Sequence, residues 1–316
     1  VRLYRDETYQ NAPGQTPRSL SELIAQWRRD READVVVQIG KFETGIASVA
    51  TSVRDIEGNV VAAIGNLGEA PSINDLIGNV KRLHLWDWRR DLARLDGPVD
   101  RDEWFMAPQR VNAYYNPLNN EIVFPAAILQ PPFFDPNADD AVNYGGIGAV
   151  IGHEIGHGFD DQGRKFAADG SLNDWWTEAD VTAFTGQTRK LIAQYAAFEA
   201  LPGLNVNGEI TIGENIGDLG GLNMALHAYR LSLNGKPAPV LEGLSGDQRF
   251  FLSWAQVWRA KYRDEYLRML VLSDTHSPSY FRVNGAVRNM DEWYEAFNVQ
   301  PTEKLYLPPE ERVKIW

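Results

Sequence analysis

The chain has 316 residues, a length that suits one large domain or two smaller ones with a proper hydrophobic core. A hydrophobic fraction of 44%, with ten tryptophans, is typical of a globular protein and excludes a disordered or fibrous one. The net charge of −12 argues against nucleic acid as a partner, and the absence of cysteine excludes disulfides, thiolate metal sites and cysteine nucleophiles.

Residues 1–72 are predicted to form a small α/β fragment. The stretch "SLSELIAQWRRDREA" has the apolar period of a helix, and "DVVVQIG" and "GIASVATSVRD" have the β-branched character of strands. A hairpin turn at Glu57-Gly58 then leads into a third strand. The first residues, "VRLYRDETYQ", show no initiator Met and no signal peptide, which leaves both a cytoplasmic and a secreted location open. The Gly, Pro and Ser of "GEAPSIN" predict a domain boundary between residues 72 and 73.

From residue 73 onwards the chain is predicted to be mainly α with a minor β-sheet. Two short strands flank the turn signal "NPLN" within "VNAYYNPLNNEIVFPAAIL". No apolar run reaches the roughly 20 residues that cross a bilayer, so we expect no membrane segment in this chain. Helical periodicity covers "INDLIGNVKRLHLWDWRRDLARL", "NYGGIGAVIGHEIGHGFDD", "TEADVTAFTGQTRKLIAQYAAFEAL", "TIGENIGDLGGLNMALHAYRLSL" and "GDQRFFLSWAQVWRAKYRDEYLRMLVL".

The second of these helices carries the motif "HEIGH". His153 and His157 are four residues apart and therefore project from one face of a helix, about 40° apart around the axis. Two imidazoles at this spacing can hold one Zn²⁺, while Glu154, about 100° from His153, can act as general base on a water. The alternative is that the two histidines form only the polar stripe of a buried helix.

A third metal ligand is predicted on the helix of "TIGENIGDLGG". Glu214 completes a His₂Glu set, and Asp218, one turn later, can orient a histidine. Gly217, Gly220 and Gly221 lower the stability of this helix, which indicates close packing against another element. A capping or solvent-facing pair of carboxylates is the alternative interpretation.

The stretch "DTHSPSYFRVNG" offers His276 and Arg282. Peptide hydrolysis needs a group that stabilises the oxyanion, and His276, protonated or hydrogen-bonded to Asp218, can do so. The planar fork of Arg282 suits a substrate carbonyl or carboxylate. A surface histidine and a salt-bridged arginine are the alternatives.

Two further positions are candidates for supporting roles. Asp160, with Asp161 beside it, follows His157 by about one turn and can either orient the ligand histidines or cap the helix end. Asn112 and Ala113 lie in "VNAYYNP", where a strand edge can pair with an extended peptide backbone.

These motifs together resemble the neprilysin/endothelin-converting-enzyme family of zinc metallopeptidases. The resemblance covers residues 73–316 and is carried by "VNAYYNPLNNEIVFPAAILQPPFF", "HEIGHGFDD", "GENIGDLGGL", "HSPSYFRVNG" and the terminal Trp316. It implies a thermolysin-like catalytic lobe, with a second helical lobe that encloses the cavity. This chain has Val313 where animal members carry a Cys, as expected of a bacterial member.

The resemblance also implies a role for each candidate residue. One zinc ion is expected per chain, bound by His153, His157 and Glu214, with Glu154 activating the water. Asp218 is expected to support His276, which stabilises the transition state. Peptide substrates are expected, with their backbone held by Asn112, Ala113 and Arg282.

The upstream part of the chain departs from the family pattern. Residues 1–72 take the place of the several hundred residues that normally build the second lobe, so that lobe is missing here. They are instead similar to the closing helix and sheet of an IclR-type effector domain. The alternative function is therefore a ligand-binding regulatory protein that carries an inactive peptidase remnant.

Overall fold

The computed structural model describes residues 35–39, 47–54, 60–68 and 75–315. The chain divides into two compact units, Val1–Arg101 and Asp102–Trp316. The predicted division between residues 72 and 73 lies inside the first unit, and the assignment of separate functions to 1–72 and 73–316 stays a prediction.

The first unit contains a three-stranded antiparallel sheet in the order β1-β2-β3 and one described α-helix, which a short 3-10 turn at Arg94–Asp96 follows. In the sheet, Val37 of β1 pairs with Val49 of β2, and Thr51 of β2 pairs with Ile64 of β3. Helix α1 begins after Asp75, whose carboxylate accepts a hydrogen bond from the Gly78 amide at 2.8 Å. The described elements are β1 (Val35–Ile39), β2 (Ala47–Arg54), β3 (Val60–Gly68) and α1 (Leu76–Ala93).

The strands and α1 agree with the sequence analysis. The predicted helix "SLSELIAQWRRDREA", the turn at Glu57-Gly58, residues 69–74 of the predicted boundary and Trp316 lie outside the described residues.

The second unit is mainly helical, as predicted, with two small two-stranded sheets. Its strands are β4 (Tyr114–Asn116), β5 (Glu121–Val123), β6 (Glu199–Leu201) and β7 (Leu204–Asn205), which pair as β4-β5 and β6-β7. Its α-helices are α2 (Asp140–Asn143), α3 (Ala149–Gly156), α4 (Glu178–Ala196), α5 (Ile212–Ser232), α6 (Gly246–Val257), α7 (Asp264–Ser273), α8 (Ser279–Val287) and α9 (Asp291–Phe297). None of the described helices is long and apolar enough to cross a membrane.

A π-helical turn, Tyr144–Gly148, joins α2 to α3, so residues 140–156 run as one continuous helix. Two glycines allow neighbouring backbone to come close at this turn. A Cβ on Gly145 would overlap the carbonyl of Phe250 on α6, and a Cβ on Gly146 would lie 2.5 Å from the carbonyl oxygen of Phe133. The turn is therefore packed tightly on two sides.

Helices α3 and α5 cross through glycine contacts. A Cβ on Gly152 would lie 2.7 Å from the carbonyl oxygen of Gly221, and a Cβ on Gly217 would lie 2.7 Å from His153 Nδ1. The predicted close packing is thus confirmed at Gly217 and Gly221. Because the two backbones meet directly, the first turn of α5 lies against the histidine-bearing end of α3.

The long helix expected from "GDQRFFLSWAQVWRAKYRDEYLRMLVL" is wrong in one respect, because the structure divides it into α6 and α7. The linker 258–263 between them places two aromatic side chains against α8. Trp258 packs on the Arg282 guanidinium at 3.9 Å, and the Tyr262 hydroxyl hydrogen-bonds with Ser279 Oγ at 2.5 Å. These contacts override the helix propensity of the segment.

Helix α5 passes through the hydrophobic core of the second unit. Ile216, Leu219 and Leu222 are at most 2% exposed and pack with large aromatic side chains from α4 and α6, including Tyr195 and Trp254. The element that carries Glu214 and Asp218 is therefore held along most of its length by apolar packing.

Candidate metal centre

Three metal-ligating side chains converge where α3 meets the first turn of α5. His153 and His157 come from the end of α3, with ring centroids 4.6 Å apart, and Glu214 comes from α5. One potential ligand atom from each of the three lies within 4.8 Å of the other two. The predicted metal cluster is therefore confirmed, and the histidines are not an incidental polar stripe.

The donor set fits a zinc ion. Two imidazole nitrogens and one carboxylate oxygen form the His₂Glu set of catalytic zinc sites. Glu214 Oε2 is buried, and none of the described groups makes a hydrogen bond of good geometry to it, although His153 Nε2 lies 3.1 Å away. A buried carboxylate oxygen beside imidazole nitrogens is satisfied when a cation occupies the space between them.

The charges around the ligands also favour a cation. Burial alone would lower the pKa of His153, but the adjacent carboxylates of Asp218 and Glu214 outweigh it and raise that pKa to about 10. Burial would raise the pKa of Glu214, but the neighbouring His153 and Arg282 hold it well below its ordinary value. Glu214 is thereby kept in the carboxylate form, which is the form that binds a cation.

Each ligand histidine is oriented by a carboxylate. His157 Nδ1 lies 2.8 Å from Asp160 Oδ2, and the other oxygen of Asp160 accepts hydrogen bonds from the amides of Gln162 and Gly163. His153 Nδ1 lies 2.9 Å from Asp218 Oδ1. Such contacts fix the ring orientation and leave Nε2 for the metal.

Asp218 also forms a buried pair with Arg282. Arg282 Nε and Nη2 donate to the two Asp218 oxygens, each at 2.7 Å, so the guanidinium is held in a bidentate pair on the Trp258 ring. The salt-bridged arginine considered as an alternative is thus present, and Arg282 still lines the cavity described below.

The expected support of His276 by Asp218 is corrected by the structure. Asp218 is occupied by Arg282 and His153, whereas His276 pairs with Asp274. Asp274 Oδ1 accepts from the His276 amide and lies 2.8 Å from His276 Nδ1. His276 Nε2 is then directed towards Glu214 Oε2, at 3.2 Å. Asp274 could not be predicted as the partner of His276, because an aspartate two residues before a histidine in a loop is a common pattern.

Glu154 faces the same space from α3. Its side chain is 4% exposed, and Oε2 is buried with no hydrogen-bond partner among the described residues. Burial raises the pKa of Glu154 above its ordinary value, against the opposing effect of His153 and His157. A carboxylate with a raised pKa and an unused oxygen is suited to accepting and returning a proton.

A cavity of about 830 Å³ opens over these residues and is large enough for a short peptide. Asn112, which is exposed, and Ala113, which is buried, line it just before β4 begins. On the side of the linker 258–263, the wall includes Trp258 and Tyr262, which sequence analysis did not single out. Their aromatic character alone does not distinguish them from core residues.

The part of the chain that carries these residues is similar to known peptidases. A model of Peptidase family M13 matches residues 112–313. Human neprilysin is 43% identical over 257 residues, which cover 79% of this chain and 33% of that protein. Endothelin-converting enzyme 1 of Bos taurus is 43% identical over 242 residues, which cover 75% of this chain and 32% of that protein.

Two solved structures are similar as well. The inhibitor complex of the Mycobacterium tuberculosis zinc metalloprotease Zmp1 has 61% sequence identity and a TM-score of 0.73, covering 77% of this chain and 38% of that one. PepO from Lactobacillus rhamnosis has 38% identity and a TM-score of 0.70, covering 78% of this chain and 38% of that one. The chain spans about a third of the length of the curated relatives. The family model does not extend to residues 1–72, and their similarity to an IclR-type domain stays a prediction.

Proposed function

The chain belongs to peptidase family M13, and from this premise we propose that it is a zinc-dependent endopeptidase that hydrolyses short peptides. The observation that carries the proposal is the convergence of His153, His157 and Glu214 beside Glu154, whose buried Oε2 has no hydrogen-bond partner among the described residues. Both groups face one cavity of peptide-binding size.

His153, His157 and Glu214 would hold the zinc ion. When bound, zinc acts as a Lewis acid that lowers the pKa of a water and polarises a carbonyl. Glu154 accepts the proton of the attacking water and delivers it to the nitrogen of the leaving amine. Burial raises the pKa of Glu154 above its ordinary value, which makes its carboxylate a stronger base towards the water proton.

His276 and Arg282 are proposed to bind the substrate carbonyl region. His276, held by Asp274, donates from Nε2 to the oxygen that gains negative charge in the transition state. Arg282 binds a peptide carbonyl with the side of its guanidinium that does not face Asp218. The Asn112 side chain and the Ala113 backbone, which line the same cavity, hold the peptide main chain.

We assign this activity to residues 73–316. Because the curated relatives are about three times as long as the matched region, a second helical lobe is proposed as the partner that encloses the cavity and limits substrate size. The alternative of a ligand-binding regulatory protein based on residues 1–72 predicts binding of a small effector without peptide cleavage.

The test is cleavage of a short fluorogenic peptide by the zinc-loaded chain, with and without a chelator, beside the Glu154→Gln variant. We expect chelation to abolish cleavage and zinc to restore it. Glu154→Gln should retain one zinc per chain while kcat falls by roughly 10²–10⁴-fold, because the general base is lost. Full activity in a zinc-replete Glu154→Gln sample would contradict the mechanism, and a wild-type chain without chelator-sensitive cleavage would contradict the function.

A further inference from the structure

We propose that Ser277 and Asn215 are a positioning pair that fixes His276 relative to Glu214. Ser277 Oγ donates a hydrogen bond to Asn215 Oδ1 at 2.8 Å, across 62 residues of chain. The two side chains are 2% and 0% exposed. The inference rests on the proposed function, because it concerns the placement of the group that stabilises the transition state.

The position of the pair in the chain gives it this role. Asn215 directly follows Glu214 on α5, and Ser277 directly follows His276 in the loop before α8. The Ser277–Asn215 hydrogen bond therefore joins the residues next in sequence to His276 and Glu214, whose Nε2 and Oε2 atoms are 3.2 Å apart. A displacement of Ser277 moves His276 with it.

The Asn215 amide is itself held by a buried row of hydrogen bonds. Asn215 Nδ2 donates to Thr211 Oγ1 at 2.9 Å, and Thr211 Oγ1 donates to the carbonyl of Asn207 at 2.9 Å. Since the amide nitrogen is used by Thr211, its oxygen must face Ser277. The acceptor for Ser277 is thus preorganised by the turn before α5.

The other contacts of His276 do not fix its position in the fold. Its ring is 43% exposed, so little packing holds it, and its hydrogen bonds go to Asp274 in the same loop. Its contact with α5 is the 3.2 Å approach of Nε2 to Glu214 Oε2, and Glu214 is the residue proposed to bind the metal. An Asp274–His276 pair orients the ring but moves with the loop as a unit. The Arg282–Asp218 pair joins α8 to α5 six residues later. Within the described part of the chain, Ser277 provides the side-chain hydrogen bond that joins residues 274–278 to α5.

Loss of this tether should affect the rate more than binding. Removal of the Ser277 hydroxyl leaves Asn215 Oδ1 buried without a donor, and the loop relaxes to relieve it. A displacement of about 1 Å of a catalytic group can reduce the rate by 10²-fold. Zinc binding should change little, because none of the described hydrogen bonds or ion pairs joins Ser277 to His153, His157 or Glu214.

The first experiment compares Ser277→Ala with Ser253→Ala in the full, zinc-loaded chain. Ser253 is a matched control, because it is a buried serine whose hydroxyl donates to the Val142 carbonyl away from His276. We expect Ser277→Ala to lower kcat at least tenfold, with KM and zinc content within twofold of wild type. Ser253→Ala should keep the wild-type kcat. A kcat for Ser277→Ala within twofold of wild type, or an equal loss in Ser253→Ala, would overturn the proposal.

Conservative variants separate positioning from general damage. Ser277→Thr keeps the hydroxyl and should recover most of the kcat, whereas Ser277→Cys, whose thiol is a weak donor, should give an intermediate value and serves if Ser277→Ala does not fold. A Ser277→Thr variant that folds and binds zinc but remains as slow as Ser277→Ala counts against the hydrogen bond.

A readout without activity separates this inference from the proposed function. Hydrogen exchange of the backbone amides of residues 274–277 should be at least tenfold faster in Ser277→Ala than in wild type and unchanged in Ser253→Ala. If the wild-type chain cleaves no peptide, the function fails while this exchange still decides the positioning role. Unchanged exchange in Ser277→Ala would refute the tether whatever the activity.

Discussion

At the scale of single residues, the orientation of each ligand histidine depends on one aspartate. Asp160 holds His157 from the loop after α3, and Asp218 holds His153 from α5. These contacts select the imidazole tautomer in which Nε2 carries the lone pair needed for zinc. The two aspartates are therefore expected to increase the affinity of the two histidines for zinc.

Asp160→Asn should weaken zinc binding by roughly 10–100-fold, because an amide supports the His157 ring less well than a carboxylate. Zinc affinity is measured by competition with a chromophoric chelator. The control is Asp161→Asn, which removes the adjacent acid whose side chain accepts from Gln162 and does not touch either histidine. Equal zinc affinities in the two variants would show that Asp160 does not orient His157.

Most of the site residues could be predicted from sequence, because helical spacing is a geometric rule. The i, i+4 pairs His153/His157 and Glu214/Asp218 fall on helices, where four residues make about one turn. The pairing of Asp218 with His276 was wrong, because tertiary packing brings Arg282 and His153 to that carboxylate. No periodicity predicts which of two aspartates a loop histidine will contact.

At the scale of secondary-structure elements, the distance between α3 and α5 is set by glycine. Gly152 meets Gly221 so closely that a Cβ on either one would strike the backbone of the other helix. The two histidines lie at the end of α3 and Glu214 lies on α5. The separation of the two helices therefore also sets the distance between the metal ligands.

Gly152→Ala should push α3 away from α5 and thereby weaken zinc binding and lower the thermal unfolding midpoint. Strain at a tightly packed contact typically costs about 1–3 kcal/mol of unfolding free energy. The control is Gly186→Ala on α4, where a Cβ meets nothing within 4 Å and the better helix propensity of Ala should stabilise by up to about 1 kcal/mol. Calorimetry and zinc titration of both variants check this, and a Gly152→Ala variant as stable and zinc-competent as wild type would contradict it.

The C-terminal segment is tied to α9 by an acid that responds to pH. Asp291, in the first turn of α9, accepts from Lys314 Nζ at 2.6 Å and from Arg312 Nη1 at 2.7 Å. These hydrogen bonds lower the pKa of Asp291 below its ordinary value. The contribution to stability is therefore present above the unfolded-state pKa of about 3.9 and is lost as pH falls through the lower folded-state pKa.

We expect Asp291→Asn to unfold at a lower temperature than wild type at pH 7, with the difference shrinking progressively below about pH 4. Thermal unfolding followed by circular dichroism across this pH range measures both chains. A difference between the two midpoints that stays constant from pH 7 to pH 3 would rule out the titration of Asp291 as its cause.

The helices were largely predictable and their interruptions were not. Thr177 and Asp180 form the reciprocal cap of α4, a local signal that is visible in sequence. The break between α6 and α7 has no Gly or Pro to mark it, because it follows from the contacts of Trp258 and Tyr262 with residues of α8. Contacts between elements distant in sequence leave no periodic pattern.

At the scale of the whole second unit, a metal ion at the predicted site would join two elements that are otherwise held by packing. Its ligands come from the end of α3 and the start of α5, about 60 residues apart. Any ligand that binds the folded state alone raises the free energy of unfolding. The centre is therefore expected to act as a structural clamp as well as a reactive site.

Removal of zinc with a chelator should lower the thermal midpoint of this unit by roughly 5–10 °C. Free zinc at 100 times the Kd adds about 2.7 kcal/mol, and a domain of this size shifts by about 2–4 °C per kcal/mol. The His153→Ala/His157→Ala variant is the control and should show one midpoint with or without zinc. A wild-type midpoint that does not respond to the chelator would mean that the three ligands do not bind zinc in the folded chain.

The π-helical turn at Tyr144–Gly148 has a consequence for changes in chain length. A π turn accommodates one residue more than an α turn, so the segments before and after it keep the phase they would have in an α-helix that is one residue shorter. Deleting one residue within this turn would restore regular winding and leave His153 and His157 facing the cavity. The same deletion inside Ala149–Gly156 would rotate the motif by about 100° relative to the preceding turns. Among homologous sequences, single-residue gaps in this helix are expected at 144–148 and not at 149–156.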